Sequence, residues 1–189
     1  MLTATVHLES ATPLCMSKYV SVPKLEKEGP DDYEKRTWRE RVHADENGEV
    51  FIPPMALKFS LTESAQFSGE KIKGRGQATW TRHFEAGVLV PEPVRLGIKK
   101  DDVQGQWLLM NADGKRGSGT RVMRCIPTIP AWKGVATYYI LDPTITKEVF
   151  ERTLRQAGLL IGIGQFRPRR GGYCGRYSAK KIEWSNGTE

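Results

Sequence analysis

Residues 158–184, GLLIGIGQFRPRRGGYCGRYSAKKIEW, restrict the possible folds more than any other stretch, because Gly162, Gly164, Gly171, Gly172 and Gly175 interrupt helix and strand alike. They call for a long loop between a helix ending near Gly158 and the extended run RYSAKKIEW. The loop is also chemically marked. Arg167, Arg169, Arg170 and Arg176 supply charge and forked donors suited to phosphate oxygens. The glycines let the backbone take positive φ and bring amides close to an anion, and Phe166, Tyr173 and Tyr177 offer π-faces to unpaired bases. The plain alternative is a basic loop that only leads into a strand.

The remaining elements are ordered around this loop. Leu2, Ala4, Val6 and Leu8 alternate with Thr3, Thr5, His7 and Glu9, the period of a strand with one buried face. Residues 11–49 are mostly polar and contain Pro13, Pro23 and Pro30. They read as an insertion, with a short helix near residues 32–43 that lays Tyr33 and Trp38 on the body. A short extended piece at 50–52 precedes a proline pair that opens a helix over residues 54–67. There Leu57, Leu61 and Ala65 recur at i, i+4, and Ser60 and Ser64 permit close approach to a sheet.

The stretches ATWTRHF and VLVPEPVRLG read as extended, QWLLMNADG as a strand into a turn, and KRGSGTRVMRCIP as a basic loop entering another extended run. GVATYYILD reads as a strand. Thr146 caps a helix with Phe150, Leu154 and Ala157 on one stripe and with Glu148–Arg152 and Glu151–Arg155 as i, i+4 pairs; Gly158 stops it. With hairpin insertions collapsed, the order is β, α, β, β, α, β. The fold class is therefore α+β: a ferredoxin-like (RRM-like) antiparallel sheet with two helices on one face. One domain spans 1–189, with a polar insertion at 11–49 and a basic hairpin or loop insertion at 111–133.

The formal charge of +7 is unevenly placed, with 8 Lys/Arg against 12 Asp/Glu in residues 1–70 and 21 against 10 thereafter. The later part should attract polyanions, and the acidic part can dock on a basic neighbour. A membrane partner is not expected, since the sequence has neither a long apolar run nor a basic amphipathic helix with a wide apolar face. The start MLTATVHLES does not read as a signal peptide, and the expected location is the cytoplasm. Cys15, Cys125 and Cys174 lack the spacing of a disulfide framework or zinc ribbon and read as reduced structural thiols. His7, His43 and His83 are scattered, so neither metal nor cofactor is expected.

Three segments resemble the CRISPR-associated RAMP superfamily, particularly the backbone subunits that polymerise along guide RNA. They are the first strand with its polar insertion, GEVFIPPMALKFSLTESA, which resembles an Ile-Pro-x-x-x-Leu-Lys helix start, and GIGQFRPRRGGYCGRYSAKKIEW, which resembles the C-terminal glycine-rich loop and last strand. Together they cover well under half of the chain. Met55 and Ala56 stand where that family usually has small, serine-rich residues, and the loop is richer in arginine, a pattern that also suits a compact or mobile-element relative.

The resemblance implies sequence-independent contacts to single-stranded RNA and side-by-side self-association, within a ribonucleoprotein alongside other subunits. It places Lys58 at the head of a helix as a phosphate contact. Arg167, Arg169, Arg170, Arg176, Phe166, Tyr173, Gly162, Gly164, Gly171 and Gly172 form the principal candidate interface. Lys115, Arg116, Arg121 and Arg124 form a second basic loop, and Lys71, Lys73 and Arg75 a third cluster. Asp31 and Asp32 lie where some relatives carry a cleaving aspartate, although the neighbouring Glu26, Glu28, Glu34 and Glu40 suggest solvated surface. Three functions remain open: a homo-oligomeric coat on single-stranded RNA or DNA, an RNA-processing nuclease, and a phage or plasmid interaction protein that mimics a backbone subunit.

Overall fold

The computed structural model of the chain describes residues 1–112 and 119–186. In chain order the elements are β1 (Leu2–Ser10), β2 (Leu14–Cys15), α1 (Pro30–Thr37) with a 3-10 turn at Trp38–Arg41, β3 (Glu49–Ile52), α2 (Pro54–Ser68) and α3 (Thr81–Gly87). There follow β4 (Val88–Leu89), β5 (Val94–Lys99), β6 (Gln104–Asn111), β7 (Arg121–Ile129), β8 (Lys133–Ile140), α4 (Lys147–Gln156) and β9 (Tyr177–Asn186).

The alternation in β1 buries Ala4, Val6 and Leu8 on one side. Its neighbours are β8 and β9, and the main sheet runs β4-β8-β1-β9 with every adjacent pair antiparallel. Helix α2 lies between β1 and β4 in the chain, and α4 between β8 and β9. The four strands thus stand in the order second, third, first, fourth, and the α+β ferredoxin-like arrangement follows from the chain's own topology.

Leu57, Leu61 and Ala65 of α2 and Phe150 and Leu154 of α4 share one core with the inward strand residues, including Tyr138. Ser60 and Ser64 are also buried and both are hydrogen-bonded: Ser60 Oγ lies 3.1 Å from Tyr177 Oη, and Ser64 Oγ donates to the Thr153 carbonyl at 3.0 Å. Small hydroxyls at these positions let α2 come close without orphaning a polar group. Phe59, which lies off this stripe, is exposed.

Strands β2, β7 and β6 form a three-stranded sheet, and β3 pairs with β5. Trp38 is buried where Gly105 leaves room: a Cβ on Gly105 would sit 2.5 Å from Cys125 Sγ and 3.1 Å from the Trp38 ring.

Three local expectations are corrected. The segment read as extended, ATWTRHF, contains α3 from Thr81, because Trp80 and Phe84 are both buried at i, i+4 spacing and the Phe84 amide donates to the Trp80 carbonyl at 3.0 Å. Arg152 pairs with Glu70 at 2.6 Å rather than with Glu148. Gly158 does not stop α4. The helical path continues through a π-type turn, Ala157–Ile161, and ends at Gly162, whose φ is 70°.

Glycine at 158 answers to packing, since a Cβ there would lie 2.1 Å from the Tyr177 carbonyl oxygen. Gly158→Ala is therefore expected to destabilise the fold by about 1–3 kcal/mol through displacement of β9, as read by the urea midpoint.

Candidate nucleic-acid interface

The loop from Gly162 to Gly175 is fastened by its own backbone. The Ile163 amide donates to the Gly175 carbonyl, Cys174 to Phe166, and Gly172 to Arg167. Gln165 donates to Cys15 and Gly175 to Pro13, which ties the loop to the segment around β2. Phe166 is held at φ 56°, a left-handed conformation unusual for a bulky residue. Gly172 passes so close that a Cβ would lie 1.9 Å from the Phe166 carbonyl oxygen.

These bonds alter the role expected of the glycines. The amides of Gly162, Gly171, Gly172 and Gly175 donate to carbonyls of Ala157, Pro168, Arg167 and Pro13. Close backbone packing requires glycine at 162, 172 and 175, whereas Gly171 has open space around it, and these four amides are not directed at a ligand. Gly164 likewise packs tightly, with a would-be Cβ 2.4 Å from the Cys15 carbonyl oxygen.

The arginines divide by environment. Arg167 grips Glu63 of α2, with Nη2 donating to Oε1 at 3.0 Å and Nη1 2.9 Å from Oε2; its side chain is only 17% exposed. Arg176 donates to the Leu159 and Tyr173 carbonyls, both at 3.1 Å. Arg169 and Arg170 project from a 3-10 turn, Pro168–Arg170, and both are exposed. Arg169 stacks over the Phe67 ring at 5.4 Å. Tyr173 is 65% exposed and Phe166 is half-buried.

Phe67 lies four residues before Lys71, so the arginine turn and the exposed Lys71, Lys73 and Arg75 flank the same end of α2. The third basic cluster of the sequence therefore adjoins the first.

Other candidates stand apart from this surface. Lys58 Nζ donates to the Phe84 carbonyl and, at 2.9 Å, to that of Glu85, which caps the C-terminal end of α3. Burial pulls its pKa below the ordinary lysine value, with Glu85 acting in the opposite sense. Lys58→Met should strip both carbonyls of their cation and cost about 1–3 kcal/mol in denaturant unfolding.

Arg121 is exposed at the end of β7 opposite Asn111. Arg124 instead donates to Glu34 Oε2 at 3.0 Å. Lys115 and Arg116 lie outside the described residues. Asp31 and Asp32 are exposed in the first turn of α1, where a negative charge favours the helix dipole, and Asp32 pairs with Lys35 at 3.4 Å.

Glu34 departs from the solvated reading of its acidic neighbours. It is fully buried, accepting from Arg41 at 2.6 and 2.9 Å, from Arg124, and from the Cys125 amide at 2.8 Å. Glu34 lies in α1 and Arg41 in the 3-10 turn that follows it, so no single helical period in the sequence points to this pair. Nothing in the sequence pairs Glu63 with Arg167, or Cys15 with Cys174, whose sulfurs lie 3.0 Å apart. Among the described residues, no three His, Cys, Asp or Glu side chains gather as a metal site, and no helix is long and apolar enough to cross a membrane.

No protein-family model matches the chain, and no curated protein sequence matches it. Among solved structures it is similar to Cmr6 from Pyrococcus furiosus, with 14% identity, a TM-score of 0.47, and coverage of 95% of this chain and 99% of that one. The ferredoxin-like assignment stands on the strand order described above.

Proposed function

We propose that the chain binds single-stranded nucleic acid, RNA foremost, through its phosphates, and that copies lie side by side on the strand as a coat within a ribonucleoprotein of the CRISPR backbone type that its sequence resembles. The observation that carries this reading is the exposure of Arg169, Arg170 and Tyr173 on a loop whose backbone is fixed by its own hydrogen bonds. Exposed guanidinium groups beside a projecting aromatic suit phosphates and an adjacent unpaired base, with no demand for a particular sequence. Arg176 adds charge at the rim, and Lys71, Lys73 and Arg75 extend the basic surface past the end of α2. In this reading Arg167 positions the loop from Glu63, and Lys58 supports α3.

The test is fluorescence anisotropy with unstructured RNA, DNA of the same sequence and a duplex, each over a salt series. Single strands should bind in preference to duplex, with affinity falling steeply as salt rises. Arg169→Ala with Arg170→Ala should reduce the log–log salt slope by about 0.7 per arginine. Saturation on strands of increasing length should add one copy at a time if the chain is a coat. Absence of binding to all three at low salt overturns the proposal.

A further inference from the structure

The loop that carries the arginines is also joined to β2 through two thiols. Cys15 and Cys174 are 159 positions apart in sequence, yet their Sγ atoms lie 3.0 Å from each other, inside the ordinary contact distance of two sulfurs. Both are free cysteines. The surrounding backbone is already fixed on both sides: the Gly175 amide donates to the Pro13 carbonyl at 2.7 Å, and the Gln165 amide to the Cys15 carbonyl at 2.8 Å. Closure to a disulfide of about 2.05 Å requires the sulfurs to approach by only about 1 Å, a displacement within reach of side-chain rotation.

We propose that Cys15 and Cys174 form a redox-closable clasp that fastens the base of the arginine loop to β2. Access sets the order of the chemistry. Cys15 is buried and Cys174 is partly exposed, so a small disulfide such as oxidised glutathione meets Cys174 first. The Cys174 thiolate attacks one sulfur of that disulfide, forms a mixed disulfide and expels one glutathione thiolate. The Cys15 sulfur then attacks the Cys174 sulfur, its proton passes to the departing glutathione sulfur, and the second glutathione leaves as its thiol. Two protein thiols are oxidised by two electrons, and one glutathione disulfide is reduced to two thiols.

Burial first, and then the Cys174 thiol beside it, push the Cys15 thiol up to about 12. Cys125 provides an internal control. It is fully buried, its thiol is pushed up to about 11 by burial and by the Glu34 charge, and it stands apart from the Cys15–Cys174 pair.

The test needs no nucleic acid, so it stands or fails separately from the binding proposal. The whole chain is equilibrated in glutathione buffers from fully reduced to fully oxidised, quenched with acid, unfolded and alkylated with a maleimide. Of the three cysteines, all should alkylate from the reduced buffer and Cys125 alone from the oxidised one. A non-reducing digest should contain one cross-linked peptide pair holding Cys15 and Cys174, and Tm should rise on oxidation by roughly 5–15 °C. Cys174→Ser should abolish both changes while remaining folded, since its side chain is partly exposed.

Three alkylated cysteines in every buffer, or a persistent glutathione adduct on Cys174 without closure, overturn the clasp. So does a cross-link that leaves Tm unchanged, because the loop would then not be fastened by it.

Discussion

Glu34→Ala is expected to lower stability by about 3–5 kcal/mol, visible as a fall in Tm of roughly 10 °C or more for a chain of this length. The carboxylate is fully buried and receives four hydrogen bonds, two of them from Arg41. Its removal leaves the Arg41 guanidinium, only 16% exposed, without its counter-charge and leaves the Cys125 amide without its acceptor. Arg124 is 39% exposed and can turn to water, so most of the loss should arise from Arg41. The double change Glu34→Leu with Arg41→Leu should then recover much of the stability, because a buried ion pair contributes little net once its desolvation is counted. A loss below about 1 kcal/mol in Glu34→Ala would show that the pair is not held away from water.

The same carboxyl gives a signed pH effect. Burial raises its pKa, but Arg41, the Cys125 amide and Arg124 outweigh burial and leave it below the ordinary glutamate value. A folded-state pKa held down contributes stability that is complete above the unfolded value, about 4.3, and disappears as pH falls through the folded value. Acid unfolding of the native chain should thus be steeper below about pH 4 than that of Glu34→Ala, in urea midpoints taken from pH 7 to pH 3.

The parts of the fold legible in sequence are those in which local pattern and tertiary burial agree. The period-two run Leu2 to Leu8 becomes an inner strand of the main sheet, and Leu57, Leu61 and Ala65 become the buried stripe of α2. Thr146 caps α4, accepting from the Val149 amide at 3.4 Å. Where the determinant is a distant partner, local pattern misleads. Gly158 resembles a helix stop, yet what requires glycine there is the Tyr177 carbonyl, 19 residues on. Trp80 and Phe84 fit an extended reading until both are seen to pack on one side of a short helix whose carbonyls are capped by Lys58. The arginines carry the same lesson. Sequence supplies their charge, but whether a guanidinium faces solvent, as in Arg170, or a carboxylate, as in Arg167, depends on Glu63, more than a hundred residues away.

Gly175→Ala is expected to be the most damaging change for the interface, although it removes no charge. Gly175 sits at φ 78°, and a Cβ there would lie 1.8 Å from the Ile163 carbonyl oxygen, so neither the backbone angle nor the available space admits a side chain. The left-handed angle alone costs on the order of 1–3 kcal/mol. The clash adds to it by parting the Ile163–Gly175 and Gly175–Pro13 hydrogen bonds that close the loop. Gly171→Ala separates the two effects. Its φ is 76°, but open space surrounds it, so only the angle penalty applies. If the arginines act because a fixed frame aims them, Gly175→Ala should weaken single-strand binding about as much as the Arg169→Ala, Arg170→Ala pair, and Gly171→Ala far less. The two kinds of loss differ in salt dependence: removing arginines flattens the slope, whereas disrupting the frame disperses charges that still contact phosphates and leaves more of the slope in place. Native affinity in Gly175→Ala, measured with the loop shown to be displaced by its loss of amide protection, would mean that net charge suffices and the frame is irrelevant to binding.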